Sequence, residues 1–338
     1  MTSLKIGWSA WEPALSEGNK KTSGGGGEWT SYLFSKFKEA GHEVAWLQPT
    51  ALPTGTVQID IEKCDVIVAC WRWPMPDRSE RQLAYRTQQD ILGTALSLGI
   101  PIIIHDEDHK LPSDVTDYLS LAGHVFITAP ELKPLPWRYK PLIFPNPYCE
   151  MPFYRQLTFP VGRDHDLVYI GNNYERFEQA SRLIGELPPC VDTVVYGNWL
   201  EPNPERESPR KVMTNFKNTR FMGRLEQDRI LQELGNALFT VHLFKPSYGP
   251  VGFMTIRWAE AVAAKTVALI PDEMWLPPQW EFTFGSLGLI VADAVDVEER
   301  ITNFSCHEWM TALDAEMEFV NTFMKVQPWL DIVKEVTK

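Results

Sequence analysis

At 338 residues the chain is longer than one hydrophobic core usually serves, so two domains are expected. With 44% apolar and 12% aromatic residues it has enough buriable surface to offset its ordering entropy, which argues against a disordered or low-complexity chain. A formal charge of −12, from 32 basic and 44 acidic residues, argues against broad non-specific attraction to nucleic acid, and no run reaches the roughly 18 apolar residues of a membrane span.

The chain opens with MTSLKIGWSAWEP, which lacks the charged start, apolar stretch and small-residue cleavage site of a secretory signal. A cytoplasmic location is therefore expected. Apolar runs suited to buried parallel strands follow at Lys5–Trp8, Glu43–Leu47, Asp65–Trp71, Ile102–His105 and His124–Thr128. Between them, Glu28–Ala40 shows Tyr32, Leu33, Phe34 and Phe37 at helical spacing before Gly41, and Ser79–Leu98 is a second amphipathic stretch ending at Gly99. This β-α-β order predicts a doubly wound domain over 1–160. Its last part, Glu131–Pro160, is crowded with proline and aromatic residues without periodicity and reads as a stiff linker.

The same pattern restarts over 161–325, with strands expected at Leu167–Ile170, Thr193–Tyr196, Ala237–Leu243, Thr266–Ile270 and Leu289–Val291. The last segment, Glu308–Lys338, is helical with a break at Pro328, a kink expected to return the final helix, about 326–338, to the first domain. The fold class predicted is α/β, with two Rossmann-like doubly wound domains and a ligand cleft between them. Five cysteines, odd in number and without CxxC spacing, signal neither disulfides nor zinc, and most are expected to be buried.

Several places carry residue types suited to chemistry. Gly24–Gly27 precedes a helix beginning near Glu28 and is either a plain mobile loop or one that closes over a ligand. His105–Asp106–Glu107–Asp108–His109 follows an apolar strand, where a doubly wound fold places reactive groups; a catalytic base, a metal site and a solvated loop all fit. Gly171–Asn172–Asn173 and Tyr196–Gly197–Asn198 are strand-end turns whose amides suit a phosphate or a uracil edge, or ordinary turns.

The most informative run is Gly249–Glu260, which follows a strand and opens a helix, so its free amides and positive helix end suit a pyrophosphate. Within it Arg257 and Glu260 stand three apart on one helical face, a guanidinium for phosphate oxygens beside a carboxylate for ribose hydroxyls, with Glu260 expected on an accessible surface. The same spacing fits an ordinary surface ion pair. Basic residues from Arg206 through Arg210, Lys211, Lys217 and Arg220 to Arg224 form the densest cationic stretch, either a binding patch or a solvated face.

These motifs, taken in order, resemble the bacteriophage DNA β-glucosyltransferases, enzymes of the GT-B type that place glucose on hydroxymethylated cytosine. The resemblance runs through Asp166-LVYIGN, VVYGNWLE ending at Glu201, FMGR ending at Arg224, FMTIRWAEAVAAKTVALIPDE ending at Glu273 and GLIVADAVDVEERI ending at Ile301. In the first half it is carried by Glu28-WTSYLF and Asp108-HKLP.

The resemblance implies an inverting hexosyltransferase. Asp108 would be its general base, with Glu28 also in the catalytic cleft. Gly171, Asn172, Arg176, Gly197, Arg224, Tyr248, Arg257 and Glu260 would hold a UDP-sugar, UDP-glucose by analogy. A divalent cation, Mg or Mn, would accompany the donor, and the acceptor would be a hydroxymethylated pyrimidine flipped from double-stranded DNA, with Trp71, Trp73 or Trp137 stacking on it. Such an enzyme would be a monomer, at work in the host cytoplasm if phage-encoded. One departure is visible: the family's arginines after the Gly171 turn are replaced by Asn172, Asn173, Tyr174 and Glu175, with Arg176 next. The acidic net charge agrees better with the alternative, a GT-B enzyme acting on a glycan or small molecule; a catalytically silent nucleotide-binding module is the reading from outside the enzymes.

Overall fold

The computed structural model describes residues 3–10, 26–47, 61–71, 79–108, 110–134, 140–148, 162–202 and 207–338. Gly24, Gly25, Trp73, His109, Trp137 and Arg206 lie outside them, and of Glu28 only the backbone is described. The chain divides into two compact units, Met1–Pro147 with Met324–Lys338, and Tyr148–Phe323.

In unit 1 the strands β1 (Lys5–Ser9), β2 (Glu43–Trp46), β3 (Val66–Cys70), β4 (Ile102–His105), β5 (Val125–Ala129) and β6 (Lys140–Pro141) form a parallel sheet in the order β2-β1-β3-β4-β5-β6. The helices α1 (Gly26–Glu39), α2 (Ser79–Leu98) and α3 (Ser113–Ser120) connect them. Every residue of β3 and β4 is buried, because helices cover both faces of a parallel sheet and an uninterrupted apolar run is what such strands require. Strand alternation divides the core. Ile67 and Ala69 pack with Ile91, Leu92 and Ala95 of α2, whereas Val66, Val68 and Cys70 pack with Leu33 and Phe37 of α1.

The second face is completed by α11 (Gln327–Val336), whose Trp329, Ile332, Val333 and Val336 join the cluster around Ile6 and Trp8. Each contributes about 1.5–3 kcal/mol of apolar burial at most. Trp329 Nε1 donates to Ile143 O at 2.8 Å, which satisfies the indole inside that core. The helical break falls before Pro328, which occupies the first turn of α11, where its missing N–H costs nothing.

Unit 2 contains a second parallel sheet, β12-β11-β10-β7-β8-β9, made of β7 (His165–Ile170), β8 (Thr193–Tyr196), β9 (Thr219–Gly223), β10 (Ala237–Val241), β11 (Val267–Pro271) and β12 (Ile290–Val291). Its helices are α4 (Phe177–Ala180), continued by a π-helical turn, then α5 (Pro209–Asn215), α6 (Ile230–Gly235), α7 (Ile256–Ala263), α8 (Pro278–Ser286), α9 (Ala294–Asn303) and α10 (Cys306–Phe323). One face packs Val168, Ile170, Val194 and Tyr196 against Ile230 and Leu234 of α6. Elsewhere in the unit, Trp258 of α7 lies 4.5 Å from the Phe319 ring and 5.9 Å from that of Phe284, so aromatic packing fixes the helix on which the site depends.

Three sequence expectations are corrected. The proline-rich stretch after Glu131 contributes β6, paired with β5 from Thr128 to Lys140. The edge strand β9 went unforeseen because its residues alternate between half-buried and exposed rather than forming an apolar run. Of the four described cysteines, Cys64 and Cys70 are buried while Cys190 and Cys306 are exposed. No helix of the described residues is long and apolar enough to cross a membrane.

Candidate functional site

In unit 2 the chain leaves β7 toward β8 and β9, then returns to β10 on the other side. The carboxyl ends of β7 and β10 therefore flank the switch point where open α/β sheets take their ligands. Three strand ends are tied together there. Trp199 Nε1 donates to Gly171 O at 2.8 Å, Asn198 N to Asn172 Oδ1 at 2.9 Å, and Gly197 N to Gly223 O at 2.6 Å. Gly197 has φ +126°, and a Cβ on it would lie 2.1 Å from Gly171 O, so only glycine allows the two turns to approach. Arg224 Nε donates to Asn198 Oδ1 at 2.7 Å and its Nη2 pairs with Glu201 at 3.2 Å. Gly171, Asn172, Gly197 and Arg224 thus form one hydrogen-bonded rim.

Arg176, at the start of α4, reaches across the switch point. Its Nε donates to Leu243 O at 3.3 Å and its Nη1 to Asn172 O and Tyr174 O at 3.4 and 3.3 Å. The opposite side is the loop from β10 into α7. Tyr248 is buried and stacks on Phe253 with centroids 3.9 Å apart, which shapes the turn. Thr255 caps α7 in extended conformation but makes no side-chain cap bond, its Oγ1 has no partner among the described residues, and no acidic residue occupies the first turn. The helix start therefore keeps its positive end for an anion.

Arg257 Nη1 donates to Glu260 Oε2 at 2.5 Å. The expected accessible carboxylate is not what the fold gives: Glu260 has no exposed surface, because α7 lies between the sheet and the aromatic cluster, whereas the Arg257 side chain is 35% exposed. Glu260 Oε1 is buried without a partner among the described residues, an acceptor waiting for a donor.

Sequence reasoning missed His242 at the end of β10, which reads there as part of an apolar strand. It is buried 4.8 Å from the Trp258 ring, and burial, followed by the charge of Arg176, pushes its imidazole down to about 3, so it is neutral. Burial raises the Tyr169 phenol while Arg176 and Arg257 act in the opposite sense, so both guanidinium fields converge on that strand end. Cationic charge at the switch point thus comes from two helices.

In unit 1, the segment after β4 divides its carboxylates by role. Asp106 is buried and accepts from Lys110 N at 2.8 Å and Leu111 N at 3.2 Å, so both its oxygens hold the turn. Asp108 is half-buried at the turn itself. His105 lies inside the core against Phe144 and Trp329, 4.8 and 5.1 Å between centroids, which removes it from the metal reading. Trp71 is likewise buried. Among the described residues no three His, Cys, Asp or Glu converge to hold a metal. Of the basic stretch, Lys211 pairs with Glu178 and Glu207, Arg220 with Asp192, and Arg224 with Glu201, so the charge of these three is offset locally.

Two parallel Rossmann-like sheets, each with its own switch point, define the GT-B fold class. No protein-family model matches the sequence, and no curated protein does. Among solved structures the chain is similar to T4 phage β-glucosyltransferase in complex with its UDP-glucose substrate, at 17% identity and TM-score 0.69, over 99% of this chain and 100% of that one. The same enzyme with UDP and Mn2+ matches at 16% identity and TM-score 0.70 over the same shares. A structure described as the DNA modifying enzyme β-glucosyltransferase matches at 17% and 0.68, over 99% and 100%. The chain shares their fold.

Proposed function

We propose that the chain is an inverting glycosyltransferase that moves a hexosyl group, glucose by analogy, from a UDP-sugar to the hydroxyl of a hydroxymethylated pyrimidine in DNA. The observation that carries the donor assignment is the start of α7. An uncapped helix end there adjoins a half-exposed guanidinium and a buried carboxylate with one unsatisfied oxygen, at a switch point that also holds Arg176. Helix amides and guanidinium groups suit a diphosphate, and the spare Glu260 oxygen suits a ribose hydroxyl.

In this reading Asp108 takes the proton of the acceptor hydroxyl as its oxygen bonds to the anomeric carbon. The bond from that carbon to the diphosphate breaks on the opposite face and UDP departs, its charge met by Arg257, Arg176 and the amides of α7. A divalent cation would be held largely by the diphosphate itself, given the donors found here. Reaching a base within a duplex requires extruding it, at a cost of about a few kcal/mol.

The net charge of −12 favours a second reading, the same reaction on a glycan or small-molecule acceptor. Incubation with hydroxymethylcytosine and hydroxymethyluracil duplexes and a panel of nucleotide-sugars, followed by weighing of digested nucleosides, separates the two. A hexose mass on a modified nucleoside is expected. Turnover only when glycans or small-molecule alcohols replace the duplexes selects the second reading, and no turnover with any of these acceptors refutes both.

A further inference from the structure

Unit 2 carries an open depression of about 890 Å3, a size that suits a ligand larger than a single ion. Four carboxylates line it, Glu175, Glu178, Glu207 and Glu273. The cations beside them are already engaged: Arg182 pairs with Glu273 and Asp272, and Lys211 pairs with Glu178 at 3.2 Å and Glu207 at 3.1 Å. Burial, and then the neighbouring Glu273, hold the Asp272 carboxyl above its ordinary value.

A second observation is independent of charge. Asn173 lines the same depression, is only 1% exposed, and has a partner for neither its Nδ2 nor its Oδ1 among the described residues. Burying a donor and an acceptor unsatisfied is unfavourable, and a group that both donates and accepts relieves both at once. Hydroxyls do this; phosphates and carboxylates only accept. The wall is also fixed in place, because Gln179 Oε1 accepts from Phe244 N at 2.9 Å.

The depression adjoins the cationic switch point. Asn173 precedes Arg176 by three residues, and Phe244 follows Leu243, whose carbonyl accepts from Arg176. We infer that this depression receives the sugar half of the donor, and that its carboxylates restrict that sugar to uncharged or amine-bearing hexoses, rejecting those that carry a carboxylate or phosphate. The inference rests on the nucleotide-sugar reading above.

Titration calorimetry with UDP, UDP-glucose and UDP-glucuronate tests it. The carboxylates outnumber the two cations Arg182 and Lys211 that they share, and each charge of that surplus roughly 7 Å from an anionic sugar weakens binding about two- to threefold in water-like surroundings, so UDP-glucose should outbind UDP-glucuronate by about tenfold. The exposed pair Glu178→Gln with Glu207→Gln should narrow that ratio by about fivefold, and Asn173→Ala should weaken UDP-glucose more than UDP. Equal affinities for the two sugars, or a ratio indifferent to the double substitution, overturn the inference while UDP binding keeps the donor reading intact. Failure of the unaltered protein to bind UDP overturns the donor reading and the inference together.

Discussion

Replacing Glu260 with glutamine should preserve the fold and weaken UDP binding by roughly five- to tenfold. Glu260 has no exposed surface; one oxygen is held by Arg257 and the other has no partner among the described residues. A hydrogen bond to a charged group contributes about 1.5–3 kcal/mol and a neutral one about 0.5–1.5 kcal/mol. Exchanging the ribose-facing carboxylate for an amide thus removes on the order of 1 kcal/mol. Glu260→Ala should behave differently. Breaking a fully buried pair costs about 3–5 kcal/mol, but Arg257 is a third exposed and water takes up part of its charge, so about 1–2 kcal/mol is expected. That corresponds to a fall of a few degrees in Tm. Calorimetry with UDP and 2′,3′-dideoxy-UDP isolates the contact: the unaltered protein should prefer UDP, and Glu260→Gln should reduce that preference by roughly five- to tenfold. If the unaltered protein binds the two equally, the free oxygen of Glu260 does not meet the ribose and the donor geometry argued here is wrong.

Asp108→Asn should slow transfer by roughly 10²–10⁴-fold with Tm unchanged. Asp106→Asn should instead lower stability by about 1–3 kcal/mol, since an amide cannot accept from both Lys110 N and Leu111 N; the reverse pattern would move the base to Asp106. Gly197→Ala places a Cβ against Gly171 O at a positive φ, so denaturant unfolding should show a loss of at least about 1–3 kcal/mol, and an unchanged midpoint would refute the close approach of the two turns. His242 has a folded value depressed to about 3 from 6.5, so the unfolded chain takes up its proton first and stability falls as pH drops from 6.5 toward 3. His242→Phe should shrink the stability difference between pH 7.5 and pH 4.5, and an unaltered difference would mean that the imidazole is solvated. Arg257→Lys should lose more affinity for UDP than for uridine, because a point charge replaces a planar fork; equal losses would indicate damage to the loop instead.

What was legible in the sequence follows from where each element sits. The strands β3, β4 and β11 are buried on every residue, and a parallel sheet covered on both faces leaves an apolar run that needs no partner to be recognised. At the edges that signal weakens. β9 has only half-buried and exposed residues, and β6 is two residues long with proline as one of them, so both depend on pairing with a neighbour that periodicity does not contain. The π-helical turn after α4 has no sequence signature of its own either.

The same distinction governs the site. Spacing places Arg257 and Glu260 on one helical face, but the burial of Glu260 depends on how α7 is held in the unit, and Trp258 fixes that helix by lodging among Phe284 and Phe319, residues supplied by α8 and α10. Hence the pair reads from sequence as a surface contact and stands in the structure as a half-buried one. Arg176 shows the principle from the other direction. The turn after Gly171 departs from the resembled family by carrying asparagines where arginines stand, a loss of phosphate-binding charge on a linear reading. Folding brings Arg176 to Leu243, 67 residues away, and sets its charge, with that of Arg257, around Tyr169. The cationic crevice is thus restored by two helices on opposite sides of the switch point, and the turn itself is left to Asn173, whose unsatisfied amide suits hydroxyls better than phosphate.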